Sequence, residues 1–187
     1  MEPITGKEFE RRIVYQLYLD EKAGRCSAGR YGVQATFHDG IWRPIQSLPD
    51  FEGIIAPSGR QFVFDAKVCS GPSFQLQDST FEKRQKRHLY SRARAGAISF
   101  LLLHFNERVL KKRTDEAMTI AFPVYEGGDF WLKADAAEVK SINREDAAWY
   151  GVLVSWTDGR GKPRPLVMDA VLHMAEYHFP LRLEETA

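Results

Sequence analysis

The most constraining feature of the sequence is the nearly uninterrupted apolar run Ala97-Ile98-Ser99-Phe100-Leu101-Leu102-Leu103. It has the length of a strand, and the side chains of a strand alternate between the two faces of a sheet. A strand that is apolar on both faces needs cover on both, which is typical of the central strand of an α/β sheet. Because helical patterns precede and follow the run, we expect one α/β domain over residues 1–187.

The remaining elements fit around this strand. Thr5-Gly6-Lys7-Glu8 has the spacing of a helix capping box, which predicts a helix over residues 6–23 that ends at Gly24. The apolar stripe of this helix consists of Phe9, Ile13 and Leu17. Alternating side chains over residues 61–67 predict a strand. Further expected elements are a helix over 79–95, strands over 118–126 and 149–156, and short helices near 134–141 and 166–177.

Residues 25–49 are interrupted by glycine and proline, and we interpret them as a hairpin or projecting loop. The segment mixes cations with stacking groups, a combination suited to opened or branched nucleic acid. The cations are Arg25, Arg30 and Arg43. The alternative is an ordinary surface hairpin with Trp42 buried against the core.

Charge is unevenly distributed along the chain. The totals are 26 Lys and Arg against 25 Asp and Glu, a net charge of +1. Residues 82–113 hold ten cations and two acids, so this window carries +8 and the rest carries −7. No apolar run approaches the roughly 18 residues of a membrane-spanning helix. We therefore expect a cytoplasmic protein, and we expect its two cysteines, Cys26 and Cys69, to be buried thiols.

The predicted second helix accounts for much of the basic window. Its cations are Lys83, Arg84, Lys86, Arg87, Arg92 and Arg94. Lys83, Arg87 and Arg94 fall on one face at helical spacing, and Gln85 falls on another. The cationic face is suited to phosphate binding without base readout, although a solvated helix face is the alternative.

Two acidic residues and a lysine form the set that best suits catalysis. Asp50 follows a proline, and fifteen residues later Asp65 and Lys67 lie two positions apart on one strand face. Carboxylates from two chain segments make a hard ligand set for Mg²⁺ or Mn²⁺. A lysine beside such an ion orients or deprotonates a water, or stabilises charge on a phosphate. The set suits phosphodiester hydrolysis, although D-x-K also occurs as a solvated pair.

At these residues the chain resembles the PD-(D/E)xK nuclease superfamily, and more closely the RecU-type Holliday junction resolvases. The matching segments are Gly6-x-x-Phe9-Glu10, Asp50-Phe51-x-Gly53, Phe64-Asp65-Ala66-Lys67, Ser73-Phe74, Gln85-x-x-His88-Leu89 and His104-Phe105, with a weaker match at Gly161-Lys162-Pro163-x-Pro165 and Tyr177-His178-Phe179-Pro180. The resemblance implies a restriction-endonuclease-like core, a central mixed β-sheet flanked by helices, with a stalk from residues 25–49.

The resemblance also implies roles for single residues. Asp50, Asp65 and Glu10 would bind the divalent ion, Mg²⁺ with Mn²⁺ able to substitute. Lys67 would assist the water, and Gln85 would contact the site from the second helix. Glu8 is the alternative to Glu10, but the capping box already accounts for Glu8. Asp65 stands where these enzymes usually have glutamate, which keeps the charge on a shorter arm.

The implied function is a Mg²⁺-dependent, structure-selective DNA endonuclease that resolves four-way junctions in recombination and repair. Two symmetric cuts need two active sites, so we expect a homodimer acting on branched DNA. One alternative is a restriction-like or DNA-processing endonuclease that acts on duplex DNA. The other is a DNA-binding protein whose nuclease site has decayed.

Overall fold

The computed structural model describes residues 3–30, 35–38, 41–44, 49–76, 83–136, 138–157 and 161–179. These residues form five helices and twelve strands. The helices are α1 (Gly6–Lys22), α2 (Lys83–Arg94), α3 (Asp129–Asp135), α4 (Arg144–Tyr150) and α5 (Val167–Tyr177). The strands are β1 (Cys26–Arg30), β2 (Ala35–His38), β3 (Ile41–Pro44), β4 (Phe51–Ile55), β5 (Gln61–Cys69), β6 (Ser73–Gln75), β7 (Ile98–Phe105), β8 (Arg108–Val109), β9 (Thr114–Asp115), β10 (Met118–Pro123), β11 (Ser141–Asn143) and β12 (Val152–Leu153).

A mixed six-stranded sheet forms the centre of the molecule, in the order β1-β4-β5-β7-β10-β12. β5 and β7 are parallel, and the other neighbouring strands are antiparallel. Every residue of β7 is buried, as its apolar sequence predicts. The predicted α/β class, a mixed sheet flanked by helices, is confirmed.

The two faces of the sheet are covered by different helices, and this decides where the polar residues of β5 lie. Phe9 of α1 packs with Phe64 in a core that also includes α5. Leu89 of α2 packs with Val63 in a second core that includes α3 and α4. Because strand side chains alternate, Asp65 shares the α2 side with Val63.

Helix α1 agrees with the sequence prediction except at its cap. Its predicted apolar stripe is buried, and Gly24 follows it with a φ of 70°. The Thr5 hydroxyl accepts a hydrogen bond from the Glu8 amide at 3.3 Å, as a capping box requires. A capping box also has a bond from the Thr5 amide to the Glu8 carboxylate; the described residues do not form it, because that carboxylate accepts stronger charge-assisted bonds instead. Its donors are Arg11, Arg12 and Lys162.

The segment 25–49 is only partly a separate hairpin. β2 and β3 pair antiparallel from Ala35 opposite Pro44 to His38 opposite Ile41. The preceding β1 was wrongly included in the predicted hairpin, because it forms the edge of the central sheet, with Arg30 opposite Phe51 of β4. The stalk role of β2 and β3 stays a prediction, and the environment of Trp42 lies outside the described side chains.

The last third of the chain differs most from the sequence expectation. α3 begins at Asp129, earlier than the predicted helix near 134–141, because the preceding turn ends at Gly127 and Gly128. α4 was not predicted; it begins at the Asn143 cap, whose side chain accepts from the Asp146 amide. α5 lies where a helix was expected.

Both cysteines are buried and free, as predicted. None of the described helices is long and apolar enough to cross a membrane.

Candidate active site

The strand register brings Asp50 and Asp65 together. Phe51 lies opposite Phe64 at the start of β4, so the preceding Asp50 falls beside Asp65. The Asp50 amide donates to Asp65 Oδ1 at 3.1 Å. In return, Asp50 Oδ2 accepts from the Ala66 amide at 2.9 Å. The two carboxylates are therefore held by each other's strands and do not depend on flexible side chains for their placement.

Asp65 is an unusual residue for its environment. Its side chain is completely buried, and within the described part of the chain its Oδ2 atom has no hydrogen-bond partner. Burial raises the pKa of Asp65 to about 7; the charge of Lys67 opposes this shift and that of Asp50 adds to it. A buried carboxylate oxygen without a donor suits contact with a hard cation, which would also favour the ionised form. The residues present therefore fit a divalent metal ion.

Lys67 lies at the open side of this pair. Its Nζ is 3.8 Å from Asp50 Oδ2, and both side chains are partly exposed. Like Asp65, it is on the side of the sheet that faces α2, since the two are two residues apart on β5. A lysine in this position contacts one carboxylate and still reaches solvent.

Gln85 reaches the pair from α2. Its Nε2 donates to Asp65 Oδ1 over 3.4 Å, and the side chain is buried. The structure thus places four of the predicted residues in one cluster: Asp50, Asp65, Lys67 and Gln85. Their convergence follows from the pairing of β4 with β5 and from the packing of α2 on the sheet.

Glu10 does not join the cluster. Its carboxylate pairs with Arg30 at 2.5 Å. Arg30 lies opposite Phe51 and therefore points to the side of the sheet that carries α1, whereas Asp65 points to the side that carries α2. Among the described residues, no group of three or more acidic, histidine or cysteine side chains is arranged to hold a metal ion. The geometry therefore separates Glu10 from the other two predicted ligands.

The predicted DNA-binding cations differ in exposure and in the contacts they make. Several contact acids of the protein: Arg25 with Asp20 and Asp169, Arg30 with Glu10, Lys86 with Asp135, Arg92 with Glu52, and Arg94 with Glu126. Lys83, Arg84 and Arg87 lie exposed along α2. The side chain of Arg43 lies outside the described part of the chain. Exposed cations of α2 therefore lie at its first two turns, next to Gln85, and at its last residue, Arg94.

Glu52, which the sequence pattern did not single out, also belongs to the site region. Glu52 is two residues beyond Asp50 and accepts from Gln61 at 3.3 Å. Its carboxylate also lies 3.6 Å from Arg92, whose Nε contacts His88 Nε2 at 3.2 Å. The signal in the sequence that could have pointed to Glu52 is the pair of acids two positions apart, at 50 and 52. This network joins β4 to α2 beside the carboxylate pair.

Comparison with known proteins identifies the family of this chain. None of the curated proteins compared with the chain matches it. Among solved structures, Hjc of Archaeoglobus fulgidus, a Holliday junction resolvase from an archaeal hyperthermophile, aligns with a TM-score of 0.45 and 18% identity, covering 79% of this chain and 95% of that one. The family model described as RecU, Recombination protein U, matches residues 39–158, which include Asp50, Asp65, Lys67 and Gln85. The chain therefore belongs to the RecU family of Holliday junction resolvases.

Proposed function

We propose that the chain is a Mg²⁺-dependent, structure-selective endonuclease that cuts four-way DNA junctions at the cluster built on Asp50 and Asp65. As a member of the RecU family it is a Holliday junction resolvase, an endonuclease acting on DNA phosphodiester bonds. The observation that carries the site assignment is Asp65, a completely buried carboxylate with an oxygen left for a cation. A merely structural role would leave this costly group unexplained.

In this proposal Asp50 and Asp65 hold the metal ion. Oxygen ligands favour Mg²⁺, and Mn²⁺ accepts the same donors. When bound, the ion supplies Lewis-acid activation of the phosphate and of the attacking water. Lys67 orients that water and stabilises the negative charge that develops on the phosphate. Gln85 keeps Asp65 oriented through its 3.4 Å hydrogen bond.

Glu10 has a different role in the proposal. Its contact with Arg30 fixes the position of that guanidinium at the edge of the sheet. We therefore place Glu10 outside the metal ligand set, in contrast to the expectation from the family resemblance.

DNA would approach from the side of the sheet that carries α2. The exposed Lys83, Arg84 and Arg87 lie there and neutralise phosphates without reading bases. Paired cuts across a junction need two such sites, so we propose a homodimer with C2 symmetry. The RecU family acts on DNA, and we propose that this protein works in the cytoplasm.

The test is cleavage of a synthetic four-way junction and of a linear duplex of the same arm sequence, with Mg²⁺. We expect paired, symmetric nicks in the junction and little cutting of the duplex. Equal cutting of both substrates would favour the restriction-like or DNA-processing alternative. Absence of cutting together with absence of divalent-ion binding in calorimetry would favour the decayed, DNA-binding alternative.

A further inference from the structure

The outer face of α1 carries a row of residues that the nuclease site does not use. They fall at positions i, i+4, i+7 and i+11, and we call them the α1 outer face: Arg11, Tyr15, Tyr18 and Lys22. Both tyrosines are about half exposed, at 51% and 50%. Eleven residues of helix span about 16 Å, so the row is long enough for a short extended ligand.

The two tyrosine rings lie near each other, and each has one cation beside it. The rings of Tyr15 and Tyr18 are 6.5 Å apart and inclined by only 22°. Arg164 lies 5.0 Å from the Tyr15 ring, and Lys22 Nζ lies 5.5 Å from the Tyr18 ring. Two nearly parallel ring faces are thus flanked by a positive charge at each end.

The acids of α1 offset part of this charge. Glu8 contacts three cations, and its bonds to Arg12 and Lys162 lower its pKa. Glu10 contacts Arg30, and Glu21 accepts from the Ser27 hydroxyl. Asp20 is buried against Arg25. The cations on and beside the α1 outer face are Arg11, Arg12, Lys22, Lys162 and Arg164. These five cations face two acids, Glu8 and Glu21, so the surface around the two rings keeps a net positive charge.

We propose that the α1 outer face binds single-stranded DNA, with phosphates on the cations and bases stacked on Tyr15 and Tyr18. Aromatic rings beside cations are the usual means of holding an unpaired strand without sequence preference. A protein partner would match the tyrosines and arginines but not Lys22 and Lys162, because lysine is depleted from protein interfaces. The proposal rests on the proposed nuclease function, since it adds a second contact for the same DNA. It lies across the sheet from Asp65 and would anchor a strand away from the cut.

Fluorescence anisotropy of a labelled oligothymidine, without divalent ions so that nothing is cut, tests the proposal. The variants are the double substitution Tyr15→Ala with Tyr18→Ala, and the double substitution of the same residues to Phe. Tyr177→Ala is the matched control, because Tyr177 is 63% exposed on α5. We expect the alanine pair to weaken binding about 30-fold. The phenylalanine pair keeps both stacking faces and is expected to stay within about threefold of the unaltered protein.

Unchanged binding by the alanine pair would overturn the proposal, as would an equal loss in the phenylalanine pair or in Tyr177→Ala. A change of oligomeric state in the alanine pair, measured by light scattering, would also overturn it and assign the face to a second copy. The proposed nuclease function is judged separately, from junction cleavage by the unaltered protein with Mg²⁺. Failure of that cleavage and failure of the strand-binding proposal are therefore distinguishable.

Discussion

Substitution of Asp65 by asparagine is expected to stabilise the metal-free protein at neutral and alkaline pH. The Asp65 carboxylate is completely buried, and burial raises its pKa from 3.8 to about 7. Asparagine is nearly isosteric, and its Oδ1 still accepts the bonds from the Asp50 amide and from Gln85. The substitution thus removes a buried charge and keeps the hydrogen bonds.

Two opposing effects set the size of the change. A pKa raised by about 3 units corresponds to about 4 kcal/mol of lost stability once Asp65 is ionised in both states. The new amide group costs about 1–3 kcal/mol of stability, because it replaces an oxygen that has no hydrogen-bond partner among the described residues. The net gain is then about 1–3 kcal/mol, and each kcal/mol raises Tm by about 2–4 °C in a chain of this size.

The pH dependence has a definite sign. Between about pH 4 and pH 7 the folded state holds a proton on Asp65 that the unfolded state has lost, so the stability of the unaltered protein falls as pH rises through this window. The Asp65→Asn variant lacks this fall.

Thermal unfolding in a chelator, from pH 4 to pH 8, measures the difference between the two proteins. We expect the gain in Tm to be largest at pH 8 and to turn into a loss towards pH 4, where only the cost of the amide group remains. Addition of Mg²⁺ at pH 8 should raise the Tm of the unaltered protein and leave the variant unchanged. A variant less stable than the unaltered protein at pH 8, or a difference independent of pH, would refute the reasoning.

Three further substitutions have defined outcomes. Lys67→Ala should lower the single-turnover cleavage rate of a bound junction by about 10²-fold or more with little change in junction Kd, because in the proposed mechanism Lys67 acts on the reacting groups. A rate within a few-fold of the unaltered protein would remove Lys67 from the mechanism. Glu10→Gln should leave Mn²⁺ affinity in calorimetry unchanged, because Glu10 contacts Arg30; a large loss of affinity would return it to the ligand set. Gly53→Ala would place a Cβ 2.5 Å from the Phe62 ring. We expect the free energy of unfolding, measured in denaturant, to fall by about 1–3 kcal/mol. An unchanged unfolding midpoint would show that the sheet yields at this position.

Strong periodic signals made the centre of the fold predictable. The apolar run at residues 97–103 predicted a strand covered on both faces, and every residue of β7 is buried. The stripe on α1 and the alternation on β5 were equally clear, and they placed Asp65 and Lys67 on one face. Asp50 lies just before β4, and β4 pairs with β5. This pairing brings Asp50 beside Asp65.

Features that depend on partners distant in sequence were not predictable. The loss of the Glu8 half of the capping box depends in part on Lys162, which lies 154 residues away. The pairing of Glu10 with Arg30 depends on β1 joining the sheet edge, and glycine-rich β1 carries a weak strand signal. Helix α4 has seven residues, too few for a periodic pattern to stand out.

The most direct test of the account is single-turnover cleavage of a four-way junction by the unaltered protein and by Asp65→Asn, each bound to the junction before Mg²⁺ is added. The account predicts paired nicks from the unaltered protein and a rate lower by about 10³-fold or more from the variant, because the buried carboxylate is required to hold the ion. Junction binding by the two proteins should be equal within a few-fold. Cleavage by Asp65→Asn at the rate of the unaltered protein would contradict the assignment of this cluster as the active site.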